Sequence, residues 1–161
     1  MSDALVIRDA RPGDEAAIHA MLFELAVFEK LTDKFRLTPE VISRDLMGGR
    51  RRVQCDVAEW QGDPVAVMVW YRMYGTFSAS AALFLEDLYV RPEFRRRGIA
   101  KALLRHLVRY ARDEGANSIG WFVLDWNTPA RDFYDGIGAR ADSEWRIYRW
   151  NADAFERLAD A

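Results

Sequence analysis

The chain has 161 residues, of which half are hydrophobic and 30% are charged, and its formal net charge is -2. These values predict one globular domain with a sizeable core and argue against a nucleic-acid binder, which would carry a basic field. The single cysteine, Cys55, excludes an internal disulfide and a cysteine-cluster metal site.

The remaining composition favours a cytoplasmic protein. The N-terminus has no apolar segment behind a basic start, and no stretch approaches the length of a membrane span. The two histidines, His19 and His106, are far apart, and the chain contains neither HExxH nor CxxC. We therefore expect no bound metal, no membrane partner and no nucleic-acid partner.

The first half of the chain predicts one strand, two helices and three further strands. Thr38 is typical of a helix N-cap, and Pro39 suits the first turn that follows it. The turn at residues 61–64 predicts a hairpin between its flanking strands. In order, the elements are a strand at Leu5–Arg8, a helix after Asp14, a helix from Thr38–Pro39 to Gly48–Gly49, and strands at Arg52–Trp60, Val65–Tyr71 and Leu83–Val90.

The second half predicts helices that alternate with strands. The helix after Gly98 carries Ile99, Leu103 and Leu107 on one stripe, which is typical of a helix packed on a sheet. The order β-α-α-β-β-β-α-β-α-β indicates one mixed α/β domain over residues 1–161. The remaining elements are an apolar strand at Ser118–Leu124, a helix capped at Thr128–Pro129, an alternating strand at Trp145–Trp150 and a short terminal helix capped by Asn151.

Residues 85–112 combine a strand, a tight basic loop and an amphipathic helix. Gly98 at the start of this helix would let a phosphate oxygen approach backbone N–H groups without a Cβ in the way. A solvated basic helix start is the alternative. The three arginines 95–97 favour the anion site, because positive charge at a helix N-terminus is unfavourable without an anion to offset it.

These residues carry a resemblance to a known family. Glu86–Ala100 resembles the acyl-CoA-binding motif of the GNAT N-acetyltransferases, Arg/Gln-x-x-Gly-x-Gly/Ala, with Ala100 where a second glycine is common. Further short segments are similar to the spermidine/spermine (diamine) and thialysine acetyltransferase branch of that superfamily. They are residues 24–29, 124–130, 132–134, 138–139 and 144–146.

The resemblance implies the GNAT acyl-CoA N-acyltransferase fold. This is an α/β (α+β mixed) fold whose mostly antiparallel central sheet is flanked by helices, with acetyl-CoA in the gap of a splayed strand pair. The pantetheine arm would meet the backbone of the first strand of that pair. The cofactor-binding residues would be Leu88, Tyr89 and Val90 for the arm, Arg95, Arg96, Arg97, Gly98, Ile99, Ala100 and Lys101 for the pyrophosphate, and Asn127, Ala130 and Tyr134 on the far side.

Two catalytic residues follow from the same resemblance. Tyr134 would protonate the departing thiolate, since a phenol of pKa near 10 stays protonated at neutral pH. Its alternative is a tyrosine packed at a helix–sheet seam. Glu86 would accept the proton of the amine, with water as the relay. Asp87 follows Glu86 on the strand and would point to the opposite face; it is either a substrate contact or a solvated or arginine-paired carboxylate.

The substrate side would be acidic and aromatic. Phe28 and Glu29 would line the entrance for a cationic amine, through charge and cation–π contact. Trp145 could form a wall of the same pocket. The alternatives are that Glu29 lies on an exposed helix surface and that Trp145 is a core residue. The run Arg50–Arg52 is a solvated loop, a contact for the adenosine 3′-phosphate of acetyl-CoA, or a partner contact.

We therefore expect an acetyl-CoA-dependent N-acetyltransferase for a small cationic amine, namely a polyamine, a diamine or a lysine-like amino acid. The amine would attack directly in a ternary complex, because Cys55 has no basic partner near it in sequence. The branch resembled here also implies a homodimer. Two alternatives stay open: the same fold acting on an aminoglycoside, a protein N-terminus or a xenobiotic, and a non-catalytic acyl-CoA-binding domain.

Overall fold

A computed structural model describes residues 5–159, except the side chains at 153, 156 and 158. The chain separates into two compact units, Met1–Phe122 and Val123–Ala161, and each is described by itself. The single domain expected over residues 1–161 stays a prediction.

The first unit contains a five-stranded sheet in the order β1-β2-β3-β4-β5. The first four strands pair antiparallel and β5 runs parallel to β4, so the sheet is mostly antiparallel, as predicted. The hairpin predicted around residues 61–64 joins the second and third strands. The strands are β1 (Leu5–Asp9), β2 (Gln54–Trp60), β3 (Asp63–Gly75), β4 (Ser80–Val90) and β5 (Ile119–Trp121).

Three helices pack on this sheet, and two more lie in the second unit. Thr38 Oγ1 accepts the Val41 N–H at 3.3 Å, which confirms the predicted N-cap of the second helix. The helices are α1 (Glu15–Phe28), α2 (Pro39–Asp45) and α3 (Ile99–Asp113), followed by α4 (Thr128–Gly136) and α5 (Ala152–Ala159); short 3-10 turns lie at Thr32–Lys34 and Pro92–Phe94.

The two faces of the sheet bury different helices. Val57 and Val67 pack against Ile18, Met21 and Ile42 of α1 and α2, and Cys55 belongs to the same buried core. On the other face, α3 buries the predicted stripe of apolar residues. Because helices cover both faces of the sheet, β3 is apolar and buried at consecutive positions from Val65 to Trp70.

The caps of the second unit differ in one respect from the prediction. Asn127, and not Thr128, caps α4: its Oδ1 accepts the Ala130 N–H at 3.3 Å, and Thr128 is already helical. Asn and Thr side chains can both accept this hydrogen bond. The sequence Asn-Thr-Pro therefore leaves the position of the N-cap uncertain by one residue. Asn151 Oδ1 accepts the Ala154 N–H at 3.0 Å, which confirms the predicted cap of α5.

The strand predicted at Trp145–Trp150 is wrong. These residues have no strand pairing, and the side chains of Trp145 and Tyr148 are 77% and 91% exposed. Alternation predicts which side chains would share a face, but a strand also requires a neighbour for its backbone. β5 is likewise shorter than the predicted Ser118–Leu124. No helix within residues 5–159 is long and apolar enough to span a membrane.

Candidate functional site

β4 and β5 pair over only three positions, which leaves an open edge on β4. The pairs are Leu83 with Ile119, Phe84 with Gly120, and Leu85 with Trp121. From Glu86 onward, β4 has β3 as its only strand neighbour in the part of the chain that the structure describes. This is the splayed strand pair that the resemblance implies.

The open edge offers the backbone groups of alternate residues. The Arg91 N–H donates to Val65 O at 3.0 Å, so Arg91, and by alternation Tyr89, direct their backbone polar groups toward β3. Leu88 and Val90 direct theirs to the open side. Of the three residues expected to meet a pantetheine arm, these two have the backbone orientation for it.

The loop before α3 presents unpaired N–H groups. The Ala102 N–H donates to Gly98 O at 2.9 Å, which is the first bond of the helix. The N–H groups of Ile99, Ala100 and Lys101 precede that bond and have no intrahelical acceptor. Gly98 has a φ of +79°, and a Cβ built on it would meet no atom within 4 Å among the described residues. The backbone is therefore accessible to an anion at the positive end of the helix.

The three arginines of this loop have different surroundings. Arg95 Nε donates to Val90 O at 2.9 Å and joins the loop to the end of β4. The Arg97 guanidinium lies 5.4 Å from the ring centroids of both Trp60 and Phe94. Arg96 is exposed and has a φ of +60°. Arg95 and Arg97 thus fix the loop conformation and, with Arg96, make the helix start strongly positive.

A β-bulge places the two adjacent carboxylates of β4. Val69 pairs with Asp87 and Trp70 with Leu85, so Glu86 is the additional residue that opposes none on β3. Glu86 is exposed. After the bulge, Asp87 shares the sheet face of Tyr89, whose hydroxyl donates to Glu24 of α1 at 3.0 Å. The bulge thus turns Asp87 toward α1.

Asp87 and Glu29 line one pocket of about 260 Å³ between β4, α1 and the segment after α1. Burial, together with the weaker effect of the charges of Glu86 and Glu29, raises the pKa of Asp87 to about 7. Burial also raises the pKa of Glu29. The salt bridges among the described residues include none between an arginine and Asp87, which leaves a substrate contact or a solvated carboxylate as its predicted roles. A protonated amine would relieve both carboxylates of their unfavourable burial.

The structure adds residues to this pocket that sequence patterns missed. The other lining residues come from α1 and from the segment after it, to which the sequence assigned no element. Phe28, expected beside Glu29, is 43% exposed at the end of α1. The added residues are Leu22, Leu25, Ala26, Leu31, Lys34, Phe35, Arg36 and Leu37. These residues form no sequence motif from which the pocket could have been predicted.

The remaining predicted site residues belong to the second unit. Asn127 is buried and caps α4, where its Oδ1 holds the Ala130 N–H. Tyr134 is half-buried on α4, with its ring centroid 5.3 Å from that of Phe133. Trp145 is exposed rather than a core residue. Within the described residues there is no cluster of three or more His, Cys, Asp or Glu side chains that could hold a metal ion.

Comparison with known proteins identifies the family. The model of the acetyltransferase (GNAT) family matches residues 17–139. Thialysine N-epsilon-acetyltransferase of Sus scrofa is 34% identical over 97% of this chain and 98% of its own length. The human spermidine/spermine N(1)-acetyltransferase-like protein 1 is 29% identical over 98% of this chain, which covers 24% of that protein. An integron cassette protein from the mobile metagenome of V. cholerae shares the fold, with a TM-score of 0.82, 20% identity, and coverage of 98% of this chain and 99% of that one.

Proposed function

Because the chain belongs to the GNAT family and is an N-acetyltransferase, we propose that it transfers acetyl from acetyl-CoA to a primary amine of a small cationic substrate. The acceptor is a polyamine, a diamine or a lysine-like amino acid. Relatives named for thialysine and for spermidine/spermine support this range of acceptors.

The observation that carries the cofactor role is the continuity of the open β4 edge with the loop before α3. Leu88 and Val90 offer backbone groups to an extended arm, and five residues beyond Val90 the basic loop begins. The N–H groups of residues 99–101 then receive the pyrophosphate at the helix start. CoA carries these two groups in the same order: the pantetheine arm, with its peptide-like amides, is followed by the diphosphate.

The pocket that contains Glu29 and Asp87 supports a cationic acceptor. Both carboxylates are partly desolvated and have raised pKa values. A bound ammonium group lowers those pKa values again, since an opposite charge nearby favours the ionised form. Phe28, which precedes Glu29 and is exposed outside the pocket lining, could meet the cation at the entrance.

The chemistry requires three proton transfers. An ammonium nitrogen must first lose a proton, which Glu86 accepts through a water molecule. The neutral nitrogen then attacks the thioester carbonyl, an N–C bond forms, and the C–S bond breaks. Tyr134 gives its proton to the departing CoA sulfur, and the second proton lost by the acylated nitrogen restores the Tyr134 hydroxyl through water. In this scheme Tyr134 and Glu86 are the catalytic residues, and the acetyl group passes directly to the amine.

Cys55 is unsuited to act as a covalent carrier of the acetyl group. Its side chain is 1% exposed and lies in the core between the sheet and α1. Burial and the neighbouring carboxylates raise the pKa of its thiol far above the ordinary range. A buried, protonated thiol is a poor nucleophile, so direct attack in a ternary complex is the simpler route.

The proposed function is tested by CoA release with a panel of acceptors, with mass spectrometry of the product. We expect turnover and monoacetylated products with spermidine, putrescine or lysine. Turnover restricted to an aminoglycoside or a peptide N-terminus would contradict the acceptor class. Binding of acetyl-CoA without turnover of any amine would instead indicate a non-catalytic binding domain. The homodimer and the cytoplasmic location stay predictions.

A further inference from the structure

A second pocket lies where β3 extends beyond β2. β2 begins at Gln54, which pairs with Trp70, so the β3 residues after Trp70 have no partner on that side within the described chain. The pocket there has a volume of about 440 Å³. Its lining comes from the segment before β2 and from β3: Arg51, Arg52, Val53, Gln54, Tyr71 and Arg72.

This arginine pocket is positively charged. Three guanidinium groups line it, and no carboxylate is among the described lining residues. Each arginine contacts one carboxylate outside the lining through a single nitrogen. The contacts are Arg51 Nη1 with Asp9 at 3.0 Å, Arg52 Nε with Asp45 at 3.2 Å, and Arg72 Nε with Glu114 at 3.2 Å. Since a guanidinium has five N–H donors, each arginine keeps donors for a further anion.

The arginine pocket is remote from the loop before α3. Arg72 pairs with Leu83 near the start of β4, whereas the loop follows Val90 at its end. Seven residues of strand separate these positions, which corresponds to about 23 Å. One phosphate group cannot contact both regions, so an anion bound in the arginine pocket would be a group other than the pyrophosphate.

The arginine pocket is instead adjacent to the acidic residues of β4. Tyr71, which lines it, pairs with Phe84, and the two ring centroids are 5.3 Å apart. Glu86 follows two residues later, about 7 Å along the strand. Burial raises the pKa of Tyr71, and the negative charge of Glu86 raises it further. The part of the arginine pocket lined by Tyr71 is therefore near Glu86, whereas the Arg72 guanidinium lies 5.2 Å from the ring centroid of Tyr110 on α3.

We propose that the arginine pocket binds the α-carboxylate of an amino acid whose side-chain amine is the acetyl acceptor. The inference rests on the proposed function and narrows its acceptor class to lysine-like amino acids. Such a substrate carries an anion and a cation at opposite ends of a short aliphatic chain. The arginines would bind its carboxylate, and the carboxylates of the acceptor site would bind its amine. A polyamine has only cations, and its second amine would be repelled by the three arginines.

The test compares lysine with cadaverine, which is the same molecule without the carboxylate. The variants are Arg51→Gln and Arg52→Gln, singly and together, with Arg109→Gln as control because Arg109 is exposed on α3 outside the pocket. We expect wild type to favour lysine over cadaverine in kcat/KM. The double variant should lower that preference at least tenfold, chiefly through KM for lysine. Arg109→Gln should leave the preference unchanged.

Each outcome has a distinct meaning. An unchanged preference in the double variant would overturn the carboxylate site and leave the acetyltransferase intact. An increase in KM for acetyl-CoA instead of lysine would assign the arginines to the 3′-phosphate of the cofactor and would also overturn the proposal. If wild type acetylates neither compound nor any other amine, the proposed function fails, and the inference fails with it.

Discussion

Asp87 lies in an environment that opposes its own ionisation. The carboxyl group is largely removed from water, and Glu86 and Glu29 lie near enough for their charges to act on it. The pKa of about 7 means that an empty pocket holds the group partly protonated at neutral pH. In the proposed acceptor pocket a cationic substrate would favour the ionised form of Asp87, so that its binding near neutral pH would release a proton.

Asp87→Asn should therefore stabilise the fold while it weakens acceptor binding. The folded-state pKa of about 7 exceeds the reference value of 3.8, so stability falls as pH rises through this interval. At pH 8 the variant should gain on the order of 2 kcal/mol, reduced by partial exposure of the site. At pH 4 the gain should vanish, because the native carboxyl is then protonated. Thermal melts at both pH values measure this difference.

The control for that prediction is Asp113→Asn, an exposed carboxylate at the end of α3. Its melting temperature should differ from wild type by a similar amount at both pH values. If Asp87→Asn also gave equal shifts at pH 4 and pH 8, the desolvation of Asp87 would be contradicted. A KM for the amine that did not rise would remove Asp87 from the acceptor pocket.

Tyr134→Phe tests the general acid. The variant keeps the ring on α4 and removes only the hydroxyl, so acetyl-CoA should bind with unchanged affinity. Turnover should fall by about tenfold or more, as is typical for the loss of a general acid. Calorimetric binding of acetyl-CoA and steady-state kcat separate the two effects. Tyr148→Phe removes a hydroxyl from another tyrosine, which is 91% exposed, and should change neither quantity. Full turnover in Tyr134→Phe would exclude the role.

At the scale of elements, the start of α3 combines a helix N-terminus with a glycine of positive φ. Gly98 is needed for its backbone conformation, and the space beside it is unobstructed by protein atoms among the described residues. An added methyl group therefore meets no side chain of the fold. It would instead occupy the approach to the N–H groups that we assign to the pyrophosphate.

Gly98→Ala should raise KM for acetyl-CoA at least tenfold with only a small loss of stability. The backbone strain of a left-handed alanine costs roughly 1–2 kcal/mol. Gly115→Ala is the matched control, since Gly115 follows α3, has a φ of +68° and likewise has no atom within 4 Å of a built Cβ in the described chain. Both variants should lose similar stability, but only Gly98→Ala should affect KM. Equal KM values would contradict the assignment of this loop to the cofactor.

At the scale of the whole molecule, the sequence predicted the elements whose signals are local. Thr38 with Pro39 marks a helix start, and Gly98 marks the start of α3, because cap and φ preferences act within a few residues. The turn at residues 61–64 likewise predicted the hairpin. The short resemblance around Glu86–Ala100 identified the family that the comparisons confirm.

Features that depend on distant neighbours could not be predicted in this way. The bulge at Glu86 depends on the register between β3 and β4, so the burial of Asp87 was missed. The alternation of Trp145–Trp150 suggested a strand although no pairing partner was implied. The arginine pocket exists because β3 extends beyond β2. The sequence predicted residues 50–52 only as a loop before a strand and could not predict how far the two strands overlap.

The central claim is that acetyl passes directly from acetyl-CoA to a small cationic amine. Initial rates of CoA release, measured over a matrix of acetyl-CoA and lysine or spermidine concentrations, test it most directly. We predict intersecting lines in double-reciprocal plots, because both substrates must be bound before the thioester is attacked. Parallel lines, the pattern of a covalent acetyl-enzyme, would contradict direct transfer.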